Sequence, residues 1–433
     1  MWSASIASKI LGVTLLAGVV LVAQDTDLRA LMLKGAELDS QQRYSEAEPY
    51  YRQALKLAPN SAAVLNNEGN HYLASGDRNQ ARKFYLETVK IDPHHTNAIL
   101  QLAQMCVEDK DGKQALAYLD RLPNSENSDP DVALIKERAL ALIRLDLAIE
   151  RFRQDGPQAA LSELDQTPVA ARNGDYYLLR AQLLDSMGKM QDAIDALNRG
   201  MRAAPTRSDL YLQAAAFLLK HNMLRQASDL LEQASRVLPD NRELLLAQTV
   251  TLELLRREDD AQKVLDRILT RWPKWDRAYQ LKGILLEIQL KSSEARKALE
   301  TAIRLGANTP EVYYYEALAI THANPDDVNA AQNAIDHALR LTSNDPYAFV
   351  LAGKIALSKK EYTRAVHFML AAKHLQPTLI PAHYGLRDAY KALGDEQKSA
   401  AEMETIKRLA SQNQSADQNP FAAETFLFAV RPK

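Results

Sequence analysis

Residues 62–95 read AAVLNNEGNHYLASGDRNQARKFYLETVKIDPHH, and this stretch recurs in altered form along most of the chain. Its proline, Pro93, lies 34 residues after Pro59, and three further prolines follow one another at the same spacing: Pro205, Pro239 and Pro273. An alanine stands twelve residues before each of these five prolines, at Ala47, Ala81, Ala193, Ala227 and Ala261. A fixed period of this length predicts an array of repeated structural units.

Each unit has the pattern of two closely packed helices. In residues 208–241, the first half places Tyr211, Ala215 and Leu218 at helical spacing, and the second half repeats that spacing. One helical hairpin cannot bury its apolar face alone, so neighbouring units must stack. A turn with positive φ, which glycine adopts easily, is predicted between the two halves of three units. Its glycines are Gly76, Gly188 and Gly394.

The second unit shows the fullest pattern, with Leu65, Gly69, Tyr72, Ala81, Tyr85 and Pro93 at its positions 4, 8, 11, 20, 24 and 32. In this pattern the chain resembles the tetratricopeptide repeat family, whose unit is a 34-residue helix–turn–helix. The resemblance implies an all-α fold, a right-handed α-α superhelix (solenoid) of about 10–11 helix–turn–helix repeats. Ten units align, at about residues 28–61, 62–95, 96–124, 174–207, 208–241, 242–275, 276–309, 310–345, 346–379 and 380–413.

The period fails between Pro123 and Gly174, where residues 131–154 predict one long helix with Asp129 as its N-cap. An irregularity of structure and a functional bend or binding loop are both open interpretations of this segment and of the insertion at residues 323–327. The predicted segments are a signal peptide or membrane anchor at 1–24, three repeats at 28–124, a degenerate repeat with an insertion at 125–173, seven repeats at 174–413, and a polar linker with an apolar tail at 414–433.

The N-terminal segment is typical of an export signal. Residues 10–23 (ILGVTLLAGVVLVA) are apolar apart from Thr14, and the chain turns polar at Gln24. Fourteen residues are short for a bilayer span, which needs about 20, but they fit the apolar region of a secretory signal. We therefore predict an exported, periplasmic or envelope-associated protein. An inner-membrane anchor formed by residues 6–23 and a cytosolic N-terminus are the alternatives.

The C-terminal segment also differs from the repeats. Residues 411–419 (SQNQSADQN) are polar, and residues 421–433 (FAAETFLFAVRPK) turn apolar. The apolar part is predicted either to cap the open face of the last repeat or to add to a partner as a strand or peptide. Disorder is the third interpretation.

No catalytic pattern is present. The chain has 53 basic and 55 acidic residues, and its net charge of −2 argues against a nucleic-acid partner. The 15 glycines form no phosphate loop, and the nine histidines have no metal-site spacing. The single cysteine, Cys106, falls at a core position of its repeat. We predict that the protein is not an enzyme and has no catalytic, cofactor-binding or metal-binding residues and no cofactor.

In tetratricopeptide arrays the first helix of each repeat lines a concave groove. The resemblance implies a peptide-binding groove here of Asn66, Asn67, Asn70, Asn97, Gln101, Gln104, Gln182, Gln213, Arg277 and Gln280. Amides donate and accept hydrogen bonds and so suit an extended peptide backbone, although amides that merely solvate a concave face are an equal alternative. The basic residues with which some family members clamp a C-terminal Glu-Glu-Val-Asp are missing from the first three repeats.

Two functions remain open on this sequence. The first is a non-catalytic scaffold or adaptor that binds a partner protein or peptide in its groove, in the cell envelope. The second is an accessory subunit of a polysaccharide synthesis, export or glycan-handling complex, for which aromatic residues exposed along the groove would be expected. A weaker third interpretation is a cytosolic adaptor anchored by its N-terminus. The partner and the oligomeric state are not predicted.

Overall fold

A computed structural model describes residues 24–123 and 129–412 of the chain. This part of the chain contains 22 α-helices and no strand, which confirms the all-α prediction. The chain forms two compact units, the first ending at Ala203 and the second beginning at Ala204. The predicted division into repeat blocks around residues 125–173 stays a prediction.

The first unit holds ten of the helices. They are α1 (Gln24–Ser40), α2 (Tyr44–Leu57), α3 (Ala62–Ser75), α4 (Arg78–Ile91), α5 (Thr96–Glu108), α6 (Gly112–Leu119), α7 (Pro130–Asp155), α8 (Pro157–Leu164), α9 (Gly174–Ser186) and α10 (Met190–Ala203), with a 3₁₀ turn at Val169–Ala171.

The second unit holds the other twelve. They are α11 (Ser208–Lys220), α12 (Leu224–Val237), α13 (Arg242–Leu254), α14 (Glu258–Arg271), α15 (Asp276–Ile288), α16 (Ser292–Arg304), α17 (Pro310–Ala323), α18 (Val328–Leu341), α19 (Pro346–Ser358), α20 (Tyr362–Leu375), α21 (Ile380–Ala392) and α22 (Glu396–Gln412).

Consecutive helices pack as pairs, and each of the ten predicted repeats contains one pair. Small residues make this packing possible. A Cβ on Gly35 would stand 2.8 Å from the ring of Tyr51, and one on Gly69 would stand 2.6 Å from the ring of Tyr85. These distances are shorter than any normal carbon–carbon contact, so the first helix of a pair approaches its partner only because no side chain intervenes.

The turn within nine of the ten repeat pairs has a left-handed residue, and the turn between α17 and α18, which carries the insertion, has none. Gly76, Gly188 and Gly394 have φ values of 91°, 72° and 78°, as the sequence predicts. Six other pairs place a non-glycine residue there, with φ between 59° and 64°: Gln42, Lys110, Asn222, Arg256, Leu290 and Lys360. A side chain in this conformation costs roughly 1–2 kcal/mol, so the packing of the two helices must offset that cost at each of these turns.

The irregular pair consists of α7 and α8, and α7 begins at the N-cap that the sequence predicts. The carboxylate of Asp129 caps α7 by accepting a hydrogen bond from the backbone N–H of Asp131 at 2.7 Å. Helix α7 runs for 26 residues and ends at Asp155, and the residue that caps it is Gly156, whose φ is 85°. The partner helix α8 has only eight residues, so it covers only part of α7. The loop residues 124–128 lie outside the described part of the chain.

The insertion in the second unit lies between α17 and α18. It borders a cavity of ≈110 Å³, whose lining includes Thr321, Pro325 and Lys354. A cavity of this size holds a few water molecules but no peptide.

Among the described helices, none is long and apolar enough to cross a membrane. The predicted signal or anchor at residues 1–24 falls almost entirely outside the described residues, and the predicted apolar tail lies wholly outside them.

Candidate peptide-binding face of the first unit

Six of the amides predicted for the groove lie on two first helices of the first unit. Helix α3 has Asn66, Asn67 and Asn70, and α5 has Asn97, Gln101 and Gln104. Residues three or four apart share a helix face, so each helix presents a short row of amides. A direct hydrogen bond between Asn97 and Asn66 joins the two rows.

Three of these amides form one hydrogen-bonded cluster. The Nδ2 of Asn97 donates to the Oδ1 of Asn66 at 2.8 Å and to the Oδ1 of Asn70 at 3.1 Å. Asn66 is only 2% exposed, whereas Asn70 and Asn97 are half-buried. The buried Asn66 therefore holds Asn97 in position through their hydrogen bond. Asn70 and Asn97 form the accessible part of the cluster.

The hydroxyl of Tyr85 fixes the orientation of this cluster. Tyr85 is fully buried in α4 and donates to the Oδ1 of Asn70 at 2.8 Å. Burial raises the pKa of Tyr85 well above its usual value, so the phenol keeps its proton and remains a donor. The Oδ1 of Asn70 then accepts two hydrogen bonds, which leaves its Nδ2 as a donor and the Oδ1 of Asn97 as an acceptor. One donor beside one acceptor matches the backbone of an extended peptide.

The other three amides of the face are half-buried. Asn67 and Gln101 extend the rows on α3 and α5. The Nε2 of Gln104 donates to the Oε1 of Glu108 one turn further along α5, at 2.9 Å. Gln104 therefore still offers its amide oxygen as an acceptor.

A buried polar pair supports α3 from the side of α1, and the sequence gave no sign of it. The Nδ1 of His71 lies 2.8 Å from the Oδ1 of Asp39, and the His71 ring lies against the ring of Tyr51 with centroids 5.0 Å apart. His71 is 3% exposed. The two residues of the pair are 32 positions apart, so only the stacking of the first and second repeats brings them together.

Glu68 lies near this pair and is also buried. Its Oε2 has no hydrogen-bond partner in the described structure. Burial raises the pKa of Glu68, while the charge of His71 opposes that rise. The charges that act on this carboxyl group are those of His71 on α3 and of Glu48 and Arg52 on α2.

The other four predicted residues lie on other helices. Gln182 is exposed on α9, beyond the irregular pair, and Gln213 is exposed on α11 in the second unit. Gln280 is fully buried on α15, where its Nε2 donates to the Oγ1 of Thr309 at 2.9 Å. Arg277, on the same helix, is 9% exposed, and burial lowers the pKa of its guanidinium group. Six of the ten predicted residues therefore share one face in the first unit, and Gln280 and Arg277 are buried in the second unit.

Aromatic and ionisable groups elsewhere pack within the repeats. The guanidinium group of Arg242 lies over the ring of Trp275, 4.8 Å from its centroid, and Tyr313 stacks on His337 at 3.9 Å. Cys106 is buried, and burial raises the pKa of its thiol, which disfavours the reactive thiolate. In the residues that the structure describes, no three His, Cys, Asp or Glu side chains are grouped to hold a metal ion.

Family models agree with the repeat pattern. Models of the tetratricopeptide repeat match residues 40–90, 84–139 and 174–207. The chain is also similar to lipopolysaccharide assembly protein B of Escherichia coli strain K12, with 26% identity over 140 residues. That match covers 31% of this chain and 35% of the relative, so the chain spans about a third of the relative's length.

Several solved structures align with this chain in three dimensions but share little sequence identity with it. Yeast Tom70 aligns with 91% of this chain and 100% of its own, at 14% identity and a TM-score of 0.44. The Cut9–Hcn1 hetero-tetramer of the APC/C aligns with 99% of this chain and 93% of its own, at 14% identity and a TM-score of 0.42. PilF of Pseudomonas aeruginosa aligns with 50% of this chain and 95% of its own, at 18% identity and a TM-score of 0.43. At these TM-scores the superpositions decide nothing about function.

The matched repeat models lie almost entirely in the first unit, and the helix pairs of the described structure continue the same period through the second. Residues 40–139 and 174–207 are therefore tetratricopeptide repeats.

Proposed function

We propose that this protein is a non-catalytic scaffold that binds an extended segment of a partner protein on the amide face of α3 and α5. Tetratricopeptide arrays in general bind proteins. The observation that supports this particular face is the cluster of Asn66, Asn70 and Asn97, whose polar groups Tyr85 orients. Fixed amides lose little conformational entropy on binding, so each hydrogen bond to a peptide backbone contributes more to affinity.

The proposal assigns different roles to the six amides. Asn67, Asn70, Asn97, Gln101 and Gln104 contact the partner. Asn66 is buried and keeps Asn97 in place. The face is uncharged at these positions, so the partner segment is recognised mainly through its backbone amides and not through charged side chains.

A photoreactive amino acid at Gln101 tests the face in the cells that make the protein. We expect a cross-link to a defined protein, and we expect Asn70→Ala with Asn97→Ala to reduce its yield at least about tenfold, because hydrogen bonds at the centre of an interface contribute most. The matched control places the photoreactive group at Lys83, which is exposed on α4. Equal yields at Gln101 and Lys83, or a yield that the double substitution does not change, would overturn the proposal.

We further propose that the scaffold works in the cell envelope. Two observations support this location: the signal-like residues 10–23 and the similarity over 140 residues to a protein named for lipopolysaccharide assembly. Fractionation with N-terminal sequencing is the test. A start near Gln24 in an envelope fraction supports export, and an unprocessed chain in the cytosolic fraction contradicts it.

The second candidate function is an accessory role in a polysaccharide or glycan-handling complex, which the name of the same relative favours. The cross-linked partner separates the two candidates. An enzyme or exporter of glycan assembly, identified by mass spectrometry, would support the accessory role. A partner from a pathway without glycans would exclude it.

A further inference from the structure

Exposed apolar side chains are concentrated on one helix of the first unit, α7. Leu134, Leu140, Leu147, Ile149 and Phe152 of this helix are each between 37% and 43% exposed, and no other described helix carries more than two large apolar side chains with comparable exposure. Groups of apolar side chains that water reaches mark surfaces that contact another chain. Within the described residues, α7 therefore carries the clearest sign of a contact surface.

The chain's own helices cover only part of α7. Two first helices of the second unit are closed within the chain, because the buried runs Leu244–Ala247 in α13 and Gly283–Glu287 in α15 each cover a full turn. Helix α7 is different. It has 26 residues where the first helix α5 has 13, and its partner helix α8 has only eight.

Four apolar residues form a stripe along the C-terminal half of α7. Leu142, Leu145, Ile149 and Phe152 follow one another at spacings of three, four and three residues, which places them on one face of the helix. The first two are half-buried and the last two are exposed. These four residues, called the α7 stripe, have the spacing with which two helices pack side by side in a coiled coil.

Two opposite charges flank the α7 stripe on one side. Asp146 directly follows Leu145, and Arg153 directly follows Phe152, so the two charged residues are seven positions apart and lie on the same side of the helix. Asp146 is exposed. The side chain of Arg153 is 71% exposed and lies 3.5 Å from the carboxylate of Glu150 on the same helix. An exposed pair of this kind contributes little to stability, so Arg153 can exchange it for another carboxylate.

We propose that α7 pairs with α7 of a second copy of this chain, antiparallel and related by a two-fold axis. In such a pair Leu142 packs against Phe152 of the partner subunit, and Leu145 packs against Ile149 of the partner subunit. The two-fold axis makes each of these contacts occur twice, as it does in every interface between identical surfaces. This inference is independent of the peptide-binding face proposed for α3 and α5.

The flanking charges favour a second copy in this orientation. An antiparallel pair places Asp146 beside Arg153 of the partner subunit, and the two-fold axis gives two such pairs of opposite charge. A parallel pair would instead place the two charged residues beside Ala141 and Ala148, where no charge is present. The α7 stripe and its flank are therefore complementary to themselves only when the two helices run in opposite directions.

The length of the α7 stripe sets the strength of the contact. Its three turns span about 15 Å, which is short for a permanent interface. We therefore expect a reversible dimer whose population rises with protein concentration. Such a dimer presents two amide faces. On the function proposed above, it binds a partner that has two recognised segments more tightly than a single copy does.

Analytical ultracentrifugation of the full-length protein at several concentrations tests the apolar contact. We expect a monomer–dimer equilibrium that Ile149→Asp weakens at least about tenfold, because the introduced carboxylate would lose water in the interface. Leu147→Asp is the matched control, since Leu147 is 42% exposed and Ile149 is 40% exposed, but they lie on different faces of α7. This control should leave the equilibrium unchanged. A protein that stays monomeric at every concentration, as it does if the stripe binds a helix of a different protein, overturns the proposal. Equal effects of the two substitutions also overturn it.

An exchange of charges tests the antiparallel orientation. Asp146→Arg alone and Arg153→Asp alone each bring like charges together at both flanks and should weaken the dimer about tenfold. The variant with both substitutions restores the opposite pairs and should dimerise like the parent. An equimolar mixture of the two single variants should also dimerise more strongly than either variant alone.

Lys136→Asp, at an exposed position of α7 outside the stripe, is the control for a change of charge and should leave the dimer unchanged. Circular dichroism confirms that each variant keeps its helices. Recovery in both the double variant and the mixture supports the proposal. A dimer that the charge exchange does not affect, or one that neither the double variant nor the mixture restores, overturns it.

Discussion

Tyr85 donates its phenolic hydrogen to the amide oxygen of Asn70 across 2.8 Å, and the two residues come from opposite helices of one pair. The ring of Tyr85 reaches this point because Gly69, next to Asn70, has no side chain. A Cβ there would stand 2.6 Å from the ring. One tyrosine therefore fills the core between α3 and α4 and also orients Asn70 on the face that carries the six amides.

Gly69→Leu should destabilise the second repeat by overpacking, by about 1–3 kcal/mol or more. The added side chain cannot fit beside Tyr85 without moving α3 away from α4. Urea unfolding followed by circular dichroism measures the loss. The exposed Ala74→Leu on the same helix is the control and should change stability by less than about 0.5 kcal/mol. Equal stability of the two variants would contradict the close packing of this pair.

Tyr85→Phe should keep the packing and remove the hydrogen bond to Asn70. We expect a loss of about 1 kcal/mol in stability, since the amide oxygen of the half-buried Asn70 loses one of its two donors. We also expect the photo-cross-link from position 101 to weaken, because Asn70 is then held only by the hydrogen bond from Asn97. Tyr118→Phe is the matched control, since the structure shows no hydrogen bond from its hydroxyl to a described residue. A cross-link yield that Tyr85→Phe leaves intact would show that Asn70 needs no fixed orientation.

Glu316, on α17, should make the stability of the second unit depend on pH. Burial raises the pKa of Glu316 from 4.5 to about 7, the charge of Glu300 adds to the rise and that of Arg296 opposes it. The folded state therefore keeps a proton that the unfolded chain releases near pH 4.5. Its contribution to stability is present below pH 4.5 and is lost as the pH rises through about 7.

Glu316→Gln cannot ionise and should remove this part of the pH dependence. The urea concentration at the midpoint of unfolding is measured at pH 5, 6, 7 and 8. It should fall less steeply with rising pH for the variant than for the parent. Glu294→Gln, at an exposed position on α16, should follow the parent. Parallel curves for the parent and Glu316→Gln would contradict the raised pKa.

Glu402→Ala should destabilise the last helix pair. The carboxylate of Glu402 accepts hydrogen bonds from Lys373 at 2.8 Å and from the Nδ1 of His383 at 2.6 Å. Burial disfavours the ionised carboxylate, but these two hydrogen bonds outweigh burial and lower the pKa of Glu402. Removing the carboxylate leaves His383, which is 1% exposed, without its acidic partner.

We expect this substitution to cost about 3 kcal/mol, the scale of breaking a buried ion pair on one side. Hydrogen exchange of α21 and α22 should show the loss locally. The exposed Glu404→Ala, two residues further along α22, should leave exchange unchanged. Equal protection in both variants would show that the ion pair does not stabilise the pair of helices.

Several features of the fold were predictable because they depend on neighbours in sequence. The spacing of prolines and alanines predicts the helix pairs, and the pattern around Asp129 and Gly156 predicts the ends of α7. The glycine turns at residues 76, 188 and 394 followed from the conformational freedom of glycine. The left-handed turns at Lys110 and Arg256 did not, because nothing local favours that conformation in a lysine or an arginine; the packed helices impose it.

The candidate site was predicted only in part. The amides on α3 and α5 were identified from their positions in the repeat, but their division into the buried Asn66 and the accessible Asn70 was not. Gln280 has the same position in its repeat as Asn66 and is also buried, while Gln182 at the ninth position is exposed. A repeat position gives the direction of a side chain, and the neighbouring repeats decide whether that direction ends in solvent.

The sequence by itself determined that this chain is a stack of helical hairpins, because helix formation, helix ends and the small contact residues are encoded within each 34-residue period. The tertiary structure alone decided which polar residues meet. Asp39 with His71, Asn66 with Asn97 and Lys373 with Glu402 lie 29 to 32 residues apart, and only stacking at a fixed angle brings them within hydrogen-bond distance. It also decided that α13 and α15 are closed on every side, because burial depends on all the chain segments around a helix and not on the helix's own sequence.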